Sequence, residues 1–294
     1  MTLKHSIALL ICTVLKKFNA SPKTNRIFIK FINLEDYLHK SLEISSDTTQ
    51  RSQKNYLRAS LFRLRRDELM KLISREDLHG LKLDKLLFFN KKDPCFGLGI
   101  NDYQTAKMKS RIKLYNFYYQ SHQKINVHQH IKTICGYCGI NPSWVTKDNA
   151  LLQDIQYSCI DVYFNGTFSL KVYSQSFLTA DIFEKYQGVF TASALKNYKK
   201  LFNAGYLPKT AGLCIQYYGK TRSIRLDFLF NTRDVLPYLD AFDVDGSARR
   251  LYQDIITIRK GVKLTAITID ADKKLKTQFY FQYLLDQLNQ TTGP

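Results

Sequence analysis

The sequence predicts an α+β fold in which about ten antiparallel strands form a closed barrel around a solvent-filled lumen, with helices on the outside. The first observation is that hairpin-like strand pairs recur along the chain, separated by helix-like segments. The second is that these strands alternate basic or tyrosine residues with apolar ones, which gives each strand one polar face. The third is that no Pro-rich, Gly-rich or low-complexity linker interrupts the 294 residues, so residues 1–294 are predicted to form a single domain.

The N-terminal segment, residues 1–20, is predicted to form an amphipathic helix docked on that domain. Its apolar residues recur at helical spacing along one face: Leu3, Ile7, Leu10, Val14 and Phe18. Two lysines follow the apolar run, where a signal peptide would need a small-residue cleavage site. No run reaches the ~18 apolar residues of a membrane span, and six cysteines are too few for a disulfide framework. We therefore expect a cytoplasmic protein without a membrane span.

Strand pairs occupy most of the remaining chain. They are predicted at residues 95–119, 155–177, 212–231 and 263–283, and a degenerate first unit lies near residues 40–64. The second pair turns at Asn165-Gly166, which is the strongest short hairpin signal. Helical patterns separate the pairs. A parallel α/β barrel would need single, almost continuously apolar strands alternating with helices, and the sequence lacks that pattern.

The polar strand faces are predicted to line the lumen. Residues 109–115 show the pattern most clearly, and residues 171–175 and 276–282 repeat it. The formal charge is +19, from 44 Lys and Arg against 25 Asp and Glu. A charge of this sign attracts phosphates, nucleic acid or anionic surfaces. A focused polyanion would suit basic rows that converge inside a barrel.

The order of these segments resembles the cyanobactin prenyltransferases, which are ABBA-type prenyltransferases. The resemblance spans roughly residues 35–290 and rests on these pieces: Ser41-Leu42-Glu43-Ile44-Ser45 with the later Arg58, residues 109–115, Asp161-Val162-Tyr163-Phe164-Asn165-Gly166 leading into Lys171-Val172-Tyr173, residues 210–220 and residues 276–283. Its most specific part is the Tyr163-Phe164-Asn165-Gly166 hairpin followed by the Lys-x-Tyr strand.

The resemblance implies a peptide prenyltransferase. Such an enzyme moves a dimethylallyl or geranyl group from its pyrophosphate to a side chain of a ribosomal, macrocyclic peptide. The residues expected at the pyrophosphate are Arg58, Lys109, Arg111, Lys171, Tyr173, Lys276 and Tyr280. Fixed cations stabilise the negative charge that grows on the leaving group, and tyrosine rings shield the allylic cation. The chain has no aspartate-rich magnesium motif, so Mg²⁺ is expected to bind through the pyrophosphate, and a monomer is expected.

Two carboxylates are predicted to act on the acceptor. The resemblance places Glu43 near the acceptor as a general base or anchor, although a solvated strand end is the simpler interpretation. Asp227 adds an acid where relatives are aromatic or neutral, unless it pairs with Arg225. Two acids favour Arg or His as the acceptor, with Tyr and Trp as alternatives. Ile215 is predicted to form the wall that limits donor length, which leaves the choice between C5 and C10 donors open.

The alternative function is a basic nucleic-acid-binding module without enzymatic activity. The +19 charge supports it, and Phe117-Tyr118-Tyr119 could stack on bases. Against it, the basic rows recur at equivalent places in successive hairpins, which suits one focus better than an extended track. We therefore expect no nucleic-acid partner.

A zinc site is the remaining alternative. His128, His130, Cys135 and Cys138 are zinc-ligand types, but their spacing is too compressed for a standard finger. The simpler interpretation is a helix whose histidines face solvent and whose cysteines pack in the core. No metal bound directly by side chains is therefore predicted, and no Walker or Rossmann glycine pattern is present.

Overall fold

The structure is a computed structural model. It describes residues 3–17, 19–34, 40–47, 56–74, 93, 95–103, 110–120, 126–148, 152, 154–174, 177–179, 181, 184, 191–219, 221–241, 247–258, 262–270 and 277–284. The helices are α1 (Leu3–Lys17), α2 (Pro22–Ile32), α3 (Arg66–Leu72), α4 (Val127–Tyr137), α5 (Pro142–Lys147), α6 (Ala192–Asn203), α7 (Leu236–Ala241) and α8 (Ser247–Ile258). The strands are β1 (Ser41–Asp47), β2 (Tyr56–Leu64), β3 (Phe96–Tyr103), β4 (Arg111–Phe117), β5 (Ile155–Tyr163), β6 (Phe168–Ser174), β7 (Phe177–Leu178), β8 (Thr210–Tyr218), β9 (Thr221–Thr232), β10 (Lys263–Asp270) and β11 (Thr277–Leu284).

Ten of the described strands form a closed antiparallel barrel. The hydrogen-bonded order is β6-β5-β4-β3-β2-β1-β11-β10-β9-β8, and a further pairing between β6 and β8 closes the ring. Strand β7 adds only a two-residue pairing at one end of β8. The predicted fold class, a barrel of about ten antiparallel strands enclosed by helices, is confirmed.

Local turn chemistry accounts for the hairpins. Between β5 and β6, the Asn165 side-chain oxygen accepts hydrogen bonds from the backbone N–H (3.3 Å) and hydroxyl (2.8 Å) of Thr167. Gly166 follows at φ +80°, a conformation that side chains with a Cβ rarely adopt. The hairpin predicted at Asn165-Gly166 therefore forms there.

The outer strand faces meet the helices in the main hydrophobic core. Strands β9 and β11 contribute Leu226, Phe228, Phe279 and Phe281, all fully buried. Helices contribute residues to the same cluster, including Ile27 and Phe31 of α2 and Ile134 of α4. The apolar faces of the strands thus lie outside the lumen, as their period-two pattern predicts.

The N-terminal helices pack on this outer layer. Helix α1 buries Ile11 and Val14 in the core. Residues 26–31, a short apolar stretch, belong to α2, whose N-cap is Ser21. The Asp102 carboxylate of β3 accepts hydrogen bonds from the Ser21 backbone N–H and the Thr24 hydroxyl, each at 2.7 Å, and so ties α2 to the barrel. In the part of the chain that the structure describes, no helix is both long and apolar enough to cross a membrane.

Candidate active site

The lumen holds a second side-chain cluster, distinct from the main core. It consists of Tyr115, Phe117, Cys159, Tyr173 and Cys214, with Phe62 and Tyr157 packed against it. These residues alternate along their strands with members of the outer core, such as Leu114 beside Tyr115. The same backbone therefore supports an apolar exterior and an aromatic, polar interior.

Two glycines of β3 make room for the lumen side chains. A Cβ on Gly99 would lie 2.9 Å from Cδ of Lys113 and 3.1 Å from Cε2 of Tyr115. A Cβ on Gly97 would lie 2.7 Å from Cδ1 of Phe62. These contacts are too short for carbon atoms, so the bare backbone of β3 is what lets large side chains of the flanking strands cross the lumen.

Basic side chains from strands on several sides of the barrel enter the lumen. This cationic cluster comprises Arg58 of β2, Arg111 and Lys113 of β4, Lys171 of β6 and Arg225 of β9. Four of its members are almost inaccessible to solvent, with exposed fractions from 2% for Lys171 to 7% for Arg225. Burial of so many like charges is costly unless anions compensate them.

Asp161 of β5 supplies one such anion inside the lumen. Its Oδ2 lies 2.6 Å from Nζ of Lys171 and 3.2 Å from Nε of Arg111. The Ser169 hydroxyl donates to the same oxygen at 3.2 Å. Burial alone would raise the pKa of Asp161, but Lys171, Arg111 and Lys113 hold that pKa well below its usual range. Asp161 is therefore a fixed counter-ion that orients Lys171 and Arg111.

Lys113 sits in the same cluster without such a contact. Its side chain is 5% exposed, and among the described residues it makes no hydrogen bond or ion pair. Burial lowers the pKa of Lys113 well below its usual range, and Lys171 and Arg58 lower it further. The Asp161 carboxylate opposes these effects, but its Oδ2 is already engaged by Lys171 and Arg111.

Arg111 is the most exposed member of the cationic cluster, with 19% of its side chain accessible. Its Nη1 donates to the Tyr163 hydroxyl at 3.2 Å, and its guanidinium lies 5.1 Å from the centre of that ring. With the Asn101 amide oriented to satisfy its hydrogen bonds, its oxygen accepts from Nη2 and Nε at 3.1 and 3.2 Å. These contacts hold the guanidinium at the edge of the cluster.

Aromatic rings form the wall beside the cationic cluster. Tyr157 and Tyr173 stack with ring centres 4.0 Å apart and 16° between their planes. Phe62 meets Tyr115 edge to face at 5.5 Å, and Phe117 packs against Tyr157 at 5.4 Å. Aromatic faces stabilise adjacent positive charge, so this wall suits a cationic intermediate.

Hydrogen bonds link the cations to this wall. Nη2 of Arg225 donates to the Tyr173 hydroxyl at 3.3 Å and to Sγ of Cys214 at 3.2 Å. Nη2 of Arg58 donates to the Tyr280 hydroxyl at 3.4 Å, with the guanidinium 5.8 Å from the ring centre. Tyr173 and Tyr280 are thereby oriented within the lumen.

Two carboxylates complete the site. Burial raises the pKa of Glu43 to about 7; nearby Lys113 and Arg58 oppose the rise, and the Asp227 carboxylate adds to it. Oδ1 of Asp227 accepts a hydrogen bond from the Thr268 hydroxyl at 2.7 Å. Glu43 thus has the properties of a general base near neutral pH.

The structure brings most of the predicted site residues into the lumen. Those residues are Glu43, Arg58, Arg111, Lys171, Tyr173, Asp227 and Tyr280. Lys109 and Lys276 lie outside the described residues. The prediction for Ile215 is wrong. Ile215 is fully buried in the outer core, whereas the next side chain along β8, Cys214, belongs to the lumen cluster, so Ile215 cannot form a wall of the lumen.

The lumen also contains five residues that were not among the predicted site residues: Lys113, Tyr115, Tyr157, Asp161 and Arg225. Lys113 and Tyr115 carry a signal that could have found them, because they lie two and four residues beyond the predicted Arg111 and therefore on the same face of the strand. Asp161 lies two residues before Tyr163 in the most specific hairpin. The signal there is an acid in an otherwise apolar strand.

The structure does not support the rival sites. Phe117 joins the lumen cluster, whereas Tyr118 turns outward and shares a 2.7 Å hydrogen bond with Ser158, so they form no common stacking platform. His128 is exposed and His130 is buried, although both were expected to face solvent. Within the described ranges, no group of three or more His, Cys, Asp or Glu side chains could hold a metal.

Comparison with known proteins yields similarity in structure alone. No protein-family model matches the sequence, and no curated protein matches it. Among solved structures, 5-dimethylallyl tryptophan synthase from Streptomyces coelicolor, in complex with DMASPP and tryptophan, is similar over 100% of this chain and 97% of its own, at a TM-score of 0.65 and 9% identity. The apo form of the prenyltransferase PriB is similar over 95% of this chain and 96% of its own, at a TM-score of 0.61 and 12% identity. AnaPT from Neosartorya fischeri is similar over 84% and 79%, at 0.51 and 11% identity. The fold of this chain is therefore the barrel of the ABBA prenyltransferases.

Proposed function

We propose that this protein is a prenyltransferase that moves an allylic group from its pyrophosphate to an acceptor in the barrel lumen. The observation that carries the proposal is the buried Lys113, which makes no ion pair among the described residues and lies among cations beside an aromatic wall. A pyrophosphate would give Lys113 an anionic partner of its own, since the Asp161 carboxylate is already engaged by Lys171 and Arg111. The names of the similar structures support the same chemistry, since they include prenyltransferases.

In the proposed reaction, the cationic cluster drives departure of the pyrophosphate. The C–O bond of the donor breaks and its electron pair leaves on the pyrophosphate, where negative charge grows. Lys113, Lys171 and Arg58 stabilise that charge by charge-assisted hydrogen bonds. Asp161 fixes the direction of Lys171 and Arg111 before the donor arrives, so little reorganisation accompanies bond breaking.

The aromatic wall protects the allylic cation that remains. Tyr157 and Tyr173, stacked at 4.0 Å, present π-electrons to the cation. Their ring edges and those of Phe117 also fill space that water would otherwise occupy. Exclusion of water matters because hydrolysis is the competing fate of the cation.

Glu43 completes the reaction as the proposed base. An electron pair of the acceptor forms the new bond to the allylic carbon, and the acceptor then loses a proton. With a pKa of about 7, Glu43 can accept that proton near neutral pH. Among the described residues no group of three or more His, Cys, Asp or Glu side chains could hold a magnesium ion, and Oδ2 of Asp161 is already engaged by Lys171, Arg111 and Ser169. Any Mg²⁺ would therefore be held by the pyrophosphate, and no step is assigned to it.

For the acceptor, we propose the side chain of a ribosomal, macrocyclic peptide, as in cyanobactin biosynthesis, with a dimethylallyl or geranyl donor. Glu43 and Asp227 interact electrostatically within the lumen and favour Arg or His over Tyr or Trp. A guanidinium could be held by one carboxylate and deprotonated by the other.

Mass spectrometry tests the proposal. Dimethylallyl and geranyl pyrophosphates are incubated with the protein and with tryptophan or cyclic peptides that carry Tyr, Trp, His or Arg. We expect a C5 or C10 adduct whose position fragmentation reveals. Lys113→Met should strongly reduce the rate at which the adduct forms, whereas Lys132→Met, which removes an exposed lysine of α4, should not.

Two outcomes would count against parts of the proposal. An adduct on Tyr alone that Asp227→Asn does not affect would refute the basic acceptor and leave the transferase. No adduct on any acceptor, together with tight RNA binding that weakens steeply with salt, would contradict the transferase itself.

A further inference from the structure

The surroundings of Lys113 differ from those of every other described member of the cationic cluster. Its stem lies over the bare backbone of Gly99, where a Cβ would come within 2.9 Å of Cδ. The ammonium therefore lies in the interior of the lumen, at 5% exposure. Lys171, by contrast, has its counter-ion 2.6 Å away.

Charged and titratable groups face Lys113 from every side of the lumen. The cations are Arg58 on β2, Arg111 on its own strand and Lys171 on β6; the acids are Asp161 and Cys159 on β5 and Glu43 on β1. Asp161 is engaged by Lys171 and Arg111. The guanidinium groups of Arg58 and Arg111 cannot give up their protons. The positive charge of the cationic cluster can therefore be reduced only by loss of a proton from a lysine.

We propose that Lys113 is uncharged while no anionic ligand is bound in the lumen and takes up one proton when a prenyl pyrophosphate binds. The inference rests on the proposed function, because it needs the pyrophosphate as ligand. The amine lone pair takes its proton from the solvent buffer, and the new ammonium donates hydrogen bonds to phosphate oxygens. Donor binding is thereby coupled to proton uptake.

This coupling has a physical advantage. The empty barrel avoids one uncompensated buried charge, and the full set of cations is present only when the pyrophosphate is there to stabilise it. Affinity for the donor then falls as the pH rises, by up to about tenfold per pH unit where one proton is taken up in full. A neutral Lys113 thus makes the enzyme without donor more stable, and the consequence is weaker donor binding at alkaline pH.

Isothermal titration calorimetry measures the number of protons that the protein takes up when the donor binds. The unreactive analogue dimethylallyl thiolodiphosphate is titrated into the protein in buffers that differ in ionisation enthalpy. A pH of about 8 is suitable, because phosphate groups with a second pKa of about 6 are then ionised. The dependence of the binding enthalpy on the ionisation enthalpy of the buffer gives the number of protons taken up. We expect a value approaching one for the wild type.

Two matched variants identify the lysine. Lys113→Arg keeps the charge permanently and should bind the analogue with proton uptake near zero, whereas Lys171→Arg should retain the uptake. Glu43→Gln should also retain it, which excludes Glu43 as the group that is protonated. Circular dichroism checks that each variant folds.

Binding of the analogue to the wild type without proton uptake would overturn the inference. Uptake that persists in Lys113→Arg, or that is lost in Lys171→Arg or Glu43→Gln, would overturn it too. No binding of the analogue to any folded protein would instead refute the proposed function. The failures of the two proposals are therefore distinguishable.

Discussion

The outer and lumen faces of strand β9 show how one backbone carries two kinds of surface. Leu226 and Phe228 point outward and are fully buried against helices and neighbouring strands. Arg225 and Asp227 alternate with them and point inward, where each has a specific polar contact. The outer side chains are held by shape and volume, and the inner ones by charge and hydrogen bonds.

The difference predicts separable effects of substitution. Removing volume from the outer face leaves a cavity, which lowers the free energy of unfolding but keeps the lumen intact. Removing the amine of Lys113 from the lumen changes the chemistry and also relieves the barrel of a buried group that makes no ion pair among the described residues. The account fails if the two faces respond alike.

The largest expected effect is on the outer face. Phe228→Ala should lower the free energy of unfolding by about 3–5 kcal/mol, because a fully buried aromatic ring is removed from the core. Denaturant unfolding measures this loss. Leu229→Ala is the matched control on the same strand, since Leu229 is 60% exposed, and it should change stability by less than about 0.5 kcal/mol. A large loss of kcat/KM per folded molecule in Phe228→Ala would contradict the claim that the outer face affects stability and not catalysis.

Next in size is an effect on the lumen face. Lys113→Met should lower kcat/KM for prenyl transfer by about 10²–10³-fold, since one fixed donor to the leaving group is lost. The same variant should melt at an equal or higher temperature than the wild type, because an uncompensated buried amine is replaced by an apolar side chain of similar length. Steady-state kinetics and thermal melting test both parts. A lower melting temperature with unchanged kinetics would show that Lys113 stabilises the fold and does not assist the leaving pyrophosphate.

The sequence predicted the strands and their two faces better than it predicted the contacts inside the lumen. The ten-stranded barrel followed from local patterns, such as the Asn165-Gly166 turn and the alternation of apolar and polar residues, because hairpins are encoded in contiguous residues. The alternation also identified Lys171 as a residue of the inner face, and the resemblance to the cyanobactin prenyltransferases added Arg58. Ile215 was placed on the wrong face. In the sequence it is followed by the polar Gln216, and period-two alternation puts neighbouring residues of a strand on opposite faces.

The contacts inside the lumen depended on information that local patterns lack. The ion pair of Asp161 with Lys171 joins strands β5 and β6, but that with Arg111 joins β5 to β4 across a long insertion. The role of Gly99 as space for Lys113 requires the register between β3 and β4. Such contacts arise only when the barrel closes, so the electrostatic balance of the lumen became visible only in the structure.

A third prediction concerns the base. Glu43→Gln should lower kcat by about 10²-fold, the lower range for loss of a general base. In the wild type, kcat should fall about tenfold per pH unit below the Glu43 pKa of about 7, because the protonated carboxyl cannot accept a proton, and should level off above it. The Gln variant should lose this limb of the profile. A pH–rate profile that is unchanged in the variant would assign the limb to another group.

The smallest expected effect comes from a matched pair of glycines. Gly99→Ala introduces a Cβ into the lumen 2.9 Å from Lys113, which should lower the free energy of unfolding by about 1–3 kcal/mol and weaken donor binding. Gly136→Ala makes the same change on α4, where no atom lies within 4 Å, and should stabilise the helix by up to about 1 kcal/mol. Chemical denaturation and donor titration report both. Equal effects of the two changes would show that the lumen has spare room.

The central claim is that the lumen face binds a prenyl pyrophosphate, and a crystal structure of the protein with dimethylallyl thiolodiphosphate tests it most directly. The account predicts that the phosphate oxygens lie inside the barrel, about 3 Å from Nζ of Lys113 and Nζ of Lys171. The dimethylallyl group should lie against the stacked rings of Tyr157 and Tyr173. An analogue bound only on the outer surface, or a lumen that stays empty at saturating analogue, would contradict the account.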